Sequence, residues 1–158
     1  MKPFPILLVE DEPTGIFLFE HVVKKLEITN PLQIARDGRE ALDYLEGVGE
    51  FADRQKYPPP GLVVLDLKLP LISGFEVLEQ LRQRPEIRKT VVVILSSSAS
   101  DDDVTQAYAL GANGYLVKPL HLEKLLEIVR AIKDFWLTHN HPPPTQEEEE
   151  AESDKGQV

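Results

Sequence analysis

The chain has no cysteine among its 158 residues, a single methionine, and no apolar run approaching the length of a membrane span. Without thiols there can be no disulfides, thiolate metal sites or thiol nucleophiles, a composition compatible with a reducing compartment. The first apolar stretch, Pro5-Ile6-Leu7-Leu8-Val9, meets Glu10 and Asp11 too early for a signal peptide. A cytoplasmic protein with no membrane segment is therefore expected. Positive charge is also scarce: 17 Lys and Arg stand against 27 Asp and Glu, for a net charge of -10. That balance opposes binding to nucleic acid and to anionic membranes. Half of the excess lies in residues 142–158, where three prolines precede a run of glutamates. Such a composition cannot form a core, so residues 142–158 are expected to be a disordered tail behind one domain of residues 1–141, with an ordered core of about 4–138.

What remains is 42% hydrophobic, enough for one sizeable core. Short apolar runs alternate with stretches of helical period, which predicts an α/β fold: a doubly wound, five-stranded parallel sheet with five helices. Strands are expected at residues 6–9, 32–35, 62–65, 91–95 and 115–117, and helices at 14–26, 38–45, 74–82, 101–110 and 122–137. The third and fourth strand runs are solidly apolar, as strands covered on both faces must be. Residues 47–60, with Tyr57 and three consecutive prolines, read as a mobile surface loop. In folds of this kind the chemistry gathers beyond the carboxyl ends of the strands.

Four of those ends carry polar residues. The first strand runs into Glu10-Asp11-Glu12, the third ends at Asp66, the fourth closes in Ser96-Ser97-Ser98, and the fifth meets Lys118-Pro119. Adjacent carboxylates repel one another unless a cation neutralises them, and a hard divalent ion with oxygen ligands, magnesium first of all, is the economical solution. Taken alone, Glu10 and Asp11 suit solvated residues or helix caps better than a site, and Lys118 suits surface decoration; the coincidence with Asp66 reverses that preference. Ser100 is placed to cap the following helix, whereas Ser96 lies nearer the strand and should face the cleft. Three acids, a hydroxyl and a lysine at one rim describe a site for a metal and a phosphoryl group.

Over about residues 4–138 the chain resembles the receiver domains of two-component response regulators, a flavodoxin-like fold. The motifs that carry the likeness are Leu8-Val9-Glu10-Asp11, Leu65-Asp66-Leu67-Lys68-Leu69-Pro70 with Gly74 following, Ser96, and Gly111-Ala112-Asn113-Gly114-Tyr115-Leu116-Val117-Lys118-Pro119. The resemblance implies that Asp66 attacks a phosphohistidine on a sensor histidine kinase and becomes an aspartyl phosphate. It implies that Asp11 and Asp66 hold magnesium directly, Glu10 through water, and Lys68 by its backbone carbonyl. Lys118 and the amide of Ser97 would contact the phosphoryl oxygens. Ser96 and Tyr115 would form a switch, the serine hydroxyl moving inward and the ring following. The alternative for Tyr115 is an aromatic packed over a strand end with its hydroxyl in water. By resemblance, too, Lys118-Pro119 is expected to be cis.

The chain departs from the commonest receiver pattern at Glu10, Ser73, Ser96 and Lys68. None removes an essential group, and Lys68 is a candidate for tuning the lifetime of the phosphate. No effector domain fits after residue 137, so output is expected through the receiver surface. In the last helix Leu122, Leu125, Val129, Ile132 and Trp136 form a stripe facing the sheet, which Ile128 and Phe135 widen. Either Phe135 covers a neighbouring loop, or Ile128, Phe135 and Trp136 belong to a homodimer interface through the fourth helix, fifth strand and fifth helix. The 47–60 insertion, Asp101-Asp102-Asp103, Phe135-Trp136 and the lack of an effector make the chain similar to the single-domain regulators that serve bacterial phytochrome histidine kinases. Two rival readings remain. One is an aspartate-nucleophile phosphatase of the haloacid-dehalogenase type, which would want an aspartate where Lys68 stands; the other is a receiver-like protein that binds partners without phosphorylation.

Overall fold

Four-residue runs, wholly apolar in β1 (Ile6–Val9) and β3 (Leu62–Leu65) and interrupted by Gln33 in β2 (Leu32–Ala35), form the first three strands. They are followed by β4 (Val92–Ser96), displaced by one residue from the range that hydropathy predicts, and β5 (Gly114–Val117), which begins one residue earlier than expected. This computed structural model describes residues 3–144 and 146–156, so residues 145, 157 and 158 of the expected tail lie outside the described residues. The five strands make one parallel sheet in the order β2-β1-β3-β4-β5. Alternate side chains feed opposite faces: Leu7, Val9, Val63, Leu65, Val92 and Ile94 enter one core, and Ile6, Leu8, Leu62, Val64, Val93 and Leu95 the other. Burial on both faces is why β1 and β3 are apolar throughout and β4 is apolar up to its last residue, Ser96.

Helices α1 (Pro13–Lys25), α2 (Gly38–Glu46), α3 (Gly74–Gln83), α4 (Asp101–Ala109) and α5 (Leu122–Ile132) connect and flank the strands. Their starts obey capping chemistry. Pro13 opens α1, while Asp37, Ser73 and Ser100 accept from the amides of Glu40, Glu76 and Asp103. Ser73 thus does the capping work of the aspartate more usual there. Helix α4 is lightly seated, since Ala107 is its only buried residue.

Five expectations are corrected. Residues 47–60 are pinned rather than loose: Arg54 donates to the carbonyls of Tyr44, Leu45 and Tyr57, and Tyr44, Phe51 and Tyr57 stack edge to face at 5.1–6.2 Å between ring centroids. One guanidinium and three aromatics supply the partners that hold this proline-containing loop. The α-helical turn of α5 stops at Ile132 and widens into a π-helical segment, Lys133–His139, in which the Asn140 amide donates to the Phe135 carbonyl at 2.6 Å. Within the last-helix stripe, Leu122 is exposed because it is the first residue of α5 and precedes the face that reaches the sheet. Residues assigned by composition to a structureless tail form α6 (Gln146–Lys155), a sequence of strong helix formers with Lys155 in its last turn, and Glu149 pairs with Lys89 at 2.6 Å. Finally, no peptide bond among the described residues is cis, Lys118-Pro119 included, in keeping with the trans preference of most X-Pro bonds.

Candidate functional site

Register places the chemistry. Val9 pairs with Ala35 and Leu65, Leu65 with Ile94, and Ser96 with Val117, so the four polar strand ends share one rim. The backbone ladder continues one residue past each strand: Glu10 N donates to Ala35 O, Asp66 N to Val9 O and Lys118 N to Ser96 O. Because the neighbours of β1 are β2 and β3, the chain reverses its winding beside β1, the place where such sheets open a crevice.

Side chains converge there. Lys118 Nζ lies 2.6 Å from Glu10 Oε2 and 2.8 Å from Asp66 Oδ2, bridging two carboxylates that are 4% and 7% exposed. Asp66 Oδ1 accepts from the amide of Lys68, whose side chain is exposed. Asp11 is half-buried beside them, and one carboxylate oxygen from each of Glu10, Asp11 and Asp66 falls within 4.8 Å of the others. Two glycines make the crowding possible. A Cβ on Gly15 would stand 2.9 Å from Glu10 Oε1, and one on Gly74 would run into the Asp66 carbonyl oxygen.

Burial raises the Glu10 carboxyl from 4.5 to about 7; the hydrogen bond from Lys118 opposes the rise and the Asp66 carboxylate reinforces it. Burial pulls the Lys118 ammonium down, but its hydrogen bonds to Asp66 and Glu10 outweigh that and leave it above the ordinary lysine value. Glu10 Oε1 is buried with no hydrogen-bond partner among the described residues. An orphaned anionic oxygen beside two further carboxylates fits a divalent cation with oxygen ligands.

The remaining candidates lie around this centre. Ser96 is fully buried at the end of β4, its hydroxyl accepting from the amide of Ser98, while Ser97 is exposed just past the strand. The Tyr115 ring packs against the core on the face bearing α2 and α3, and its hydroxyl donates to the Ser98 carbonyl at 2.8 Å. The reading with that hydroxyl in water does not hold. Ile128, Phe135 and Trp136 are far from the acids along the chain: Ile128 and Trp136 pack on the other core, whereas Phe135 is 54% exposed and meets Trp136 edge to face. Sequence reasoning missed Gly15 and Ser98. A glycine in a first helical turn and the third of three serines carry no signal until the tertiary neighbours are known.

The fold, the strand order and this rim define a receiver: the chain belongs to the response regulator receiver domain family, which it matches over residues 6–130. It is a receiver of phosphoryl groups from a histidine kinase, as family members are. Among similar proteins, the probable methanogenesis regulatory protein FilR2 of Methanothrix harundinacea is 42% identical over 144 residues, spanning 89% of this chain and 88% of that one. Response regulator Rcp1 of a Synechocystis strain is 40% identical over 135 residues, spanning 85% and 90%. The Mn(2+)-bound crystal structure of Rcp1 matches with a TM-score of 0.81 at 39% identity, covering 90% of this chain and all of that one. The phosphorylated cyanobacterial phytochrome response regulator RcpA matches with a TM-score of 0.83 at 35% identity, covering 90% and 99%. No helix among the described residues is long and apolar enough to cross a membrane.

Proposed function

We propose that Asp66 is the phosphoacceptor and that magnesium is the cation of the site. The carrying observation is the bridge from Lys118 to both Asp66 and Glu10, with three carboxylate oxygens inside 4.8 Å. Asp66, Asp11, Glu10 and the carbonyl of Lys68 would hold the ion, which would neutralise charge on the phosphoryl oxygens. An Asp66 carboxylate oxygen attacks phosphorus, the phosphorus–nitrogen bond of the kinase phosphohistidine breaks, and the electron pair leaves with the imidazole, which takes up a proton. Lys118 lies on Asp66 Oδ2 before transfer and stays close to the charge that arrives, and the Ser97 amide adds a donor. Little acid-base work is needed, so orientation and neutralisation suffice.

The chain is then a protein that catalyses its own phosphorylation and slow dephosphorylation rather than a turnover enzyme. The Ser96 hydroxyl, drawn toward the phosphate, shifts the population of states in which Tyr115 takes part. A phytochrome kinase is the proposed donor, supported by the likeness to RcpA and by the 47–60 insertion. A homodimer through α4, β5 and α5, anchored by Phe135 against Trp136, is the proposed output surface. Phe135→Ala should shift the parent dimer toward monomer in sedimentation, and two monomeric profiles would dismiss the interface.

Acetyl phosphate with magnesium should leave about one acid-labile phosphate per chain, absent in Asp66→Asn. Rapid, repeated hydrolysis of phosphomonoesters would instead support the phosphatase, and labelling that survives Asp66→Asn would refute the acceptor assignment.

A further inference from the structure

All three polar groups of Ser98 are committed, each to a different part of the switch. Its amide donates to the Ser96 hydroxyl at 3.2 Å, its carbonyl accepts from Tyr115 at 2.8 Å, and its hydroxyl donates to Asp103 Oδ2 at 2.5 Å. The Ser98 hydroxyl also accepts from the amide of Ser100, the cap of α4, at 3.3 Å. Asp103 sits in the first turn of that helix, where its own amide bonds the Ser100 hydroxyl at 3.2 Å. In the usual reciprocal cap the third residue of the helix reaches back to the cap itself. Here the carboxylate reaches past it, to the residue that also touches Ser96 and Tyr115.

This geometry matters because α4 has little else to hold it. Only Ala107 is buried along its length, so the polar contacts of the first turn contribute a large share of what positions the helix. We propose that Asp103 is a positioning residue, coupling α4 through the Ser98 hydroxyl to the Ser96 hydroxyl that meets the phosphoryl group. The proposal rests on the reading of Asp66 as phosphoacceptor and goes beyond it, since Asp103 touches neither phosphate nor metal. When Ser96 turns toward the phosphate, the Ser98 amide follows it or loses its acceptor. Either way the charge-assisted bond to Asp103 transmits the displacement to the first turn of α4.

The test compares the parent with Ser98→Ala, Ser98→Thr, Asp103→Ala and Asp103→Asn, each treated with acetyl phosphate and magnesium. Two readouts are taken: phosphate at Asp66 by intact mass, and the change in α4 amide chemical shifts on labelling. Every variant should label within about twofold of the parent, because the reacting groups are untouched. The α4 response should fall at least about threefold in Ser98→Ala and Asp103→Ala, the loss of one charge-assisted bond from a two-state balance. It should recover in Ser98→Thr, which keeps the donor, and partly in Asp103→Asn, which keeps an acceptor without the charge. Ser98→Ala leaves both Ser100 and Asp103 in place, so fraying of α4 in Asp103→Ala does not decide the outcome. A full α4 response in labelled Ser98→Ala and Asp103→Ala would overturn the coupling while leaving the acceptor assignment intact. Failure of the parent to label at Asp66 would overturn both.

Discussion

Replacing Glu10 by glutamine should flatten the pH dependence of stability. Glu10 is almost wholly buried, and its carboxyl is raised from 4.5 to about 7, chiefly by that burial. Between those values the folded chain keeps a proton that the unfolded chain has released, so raising the pH favours unfolding. The loss begins above pH 4.5 and is complete above about 7. At ~1.4 kcal/mol per pH unit the interval corresponds to roughly 3 kcal/mol, a large part of the stability of an ordinary domain. Urea titrations in EDTA, from about pH 5 to about pH 8.5, measure it directly. The parent should lose roughly 3 kcal/mol more than Glu10→Gln across that range. Magnesium added at the alkaline end should restore most of the loss to the parent, because binding to the folded state alone stabilises it. Parallel pH curves for the two proteins would refute the reasoning.

Three further outcomes follow from the geometry. Gly74→Ala should cost at least ~2 kcal/mol in urea unfolding, because the added carbon meets the Asp66 carbonyl oxygen and Leu67 Cα, backbone atoms with no rotamer to yield; an unchanged midpoint would contradict the close approach. Arg54→Ala should raise amide exchange in residues 47–60 by at least about tenfold, since three carbonyls lose a guanidinium donor, and unchanged protection would show that the aromatic cluster alone holds the segment. Lys68→Ala should change the decay rate of the aspartyl phosphate, and an identical rate would remove Lys68 from the control of its lifetime.

The strands were legible because parallel strands covered on both faces must be apolar at every position, and such runs end abruptly at Glu10 and Asp66. Their order was not written in the hydropathy. The site was legible for the same reason the strands were: acids, a serine and a lysine at run ends have nowhere to go but the rim. What sequence could not supply was pairwise geometry. Nothing in three consecutive serines distinguishes Ser98, whose partners lie 17 residues away at Tyr115 and five away at Asp103. The 47–60 segment misled because proline content signals a break in helix and strand, not a lack of anchoring, and the anchors are one arginine and a cluster of three aromatic rings. The turn after Ile132 misled because a widened helix keeps the same residue types as a regular one.

The central claim is that one buried carboxylate, bridged to its neighbour by Lys118, receives the phosphoryl group. Acetyl phosphate treatment followed by borohydride trapping and peptide mass spectrometry tests it most directly. The modified residue should be Asp66, and the modification should require magnesium. Modification at another residue, or none at all in folded protein, would contradict it.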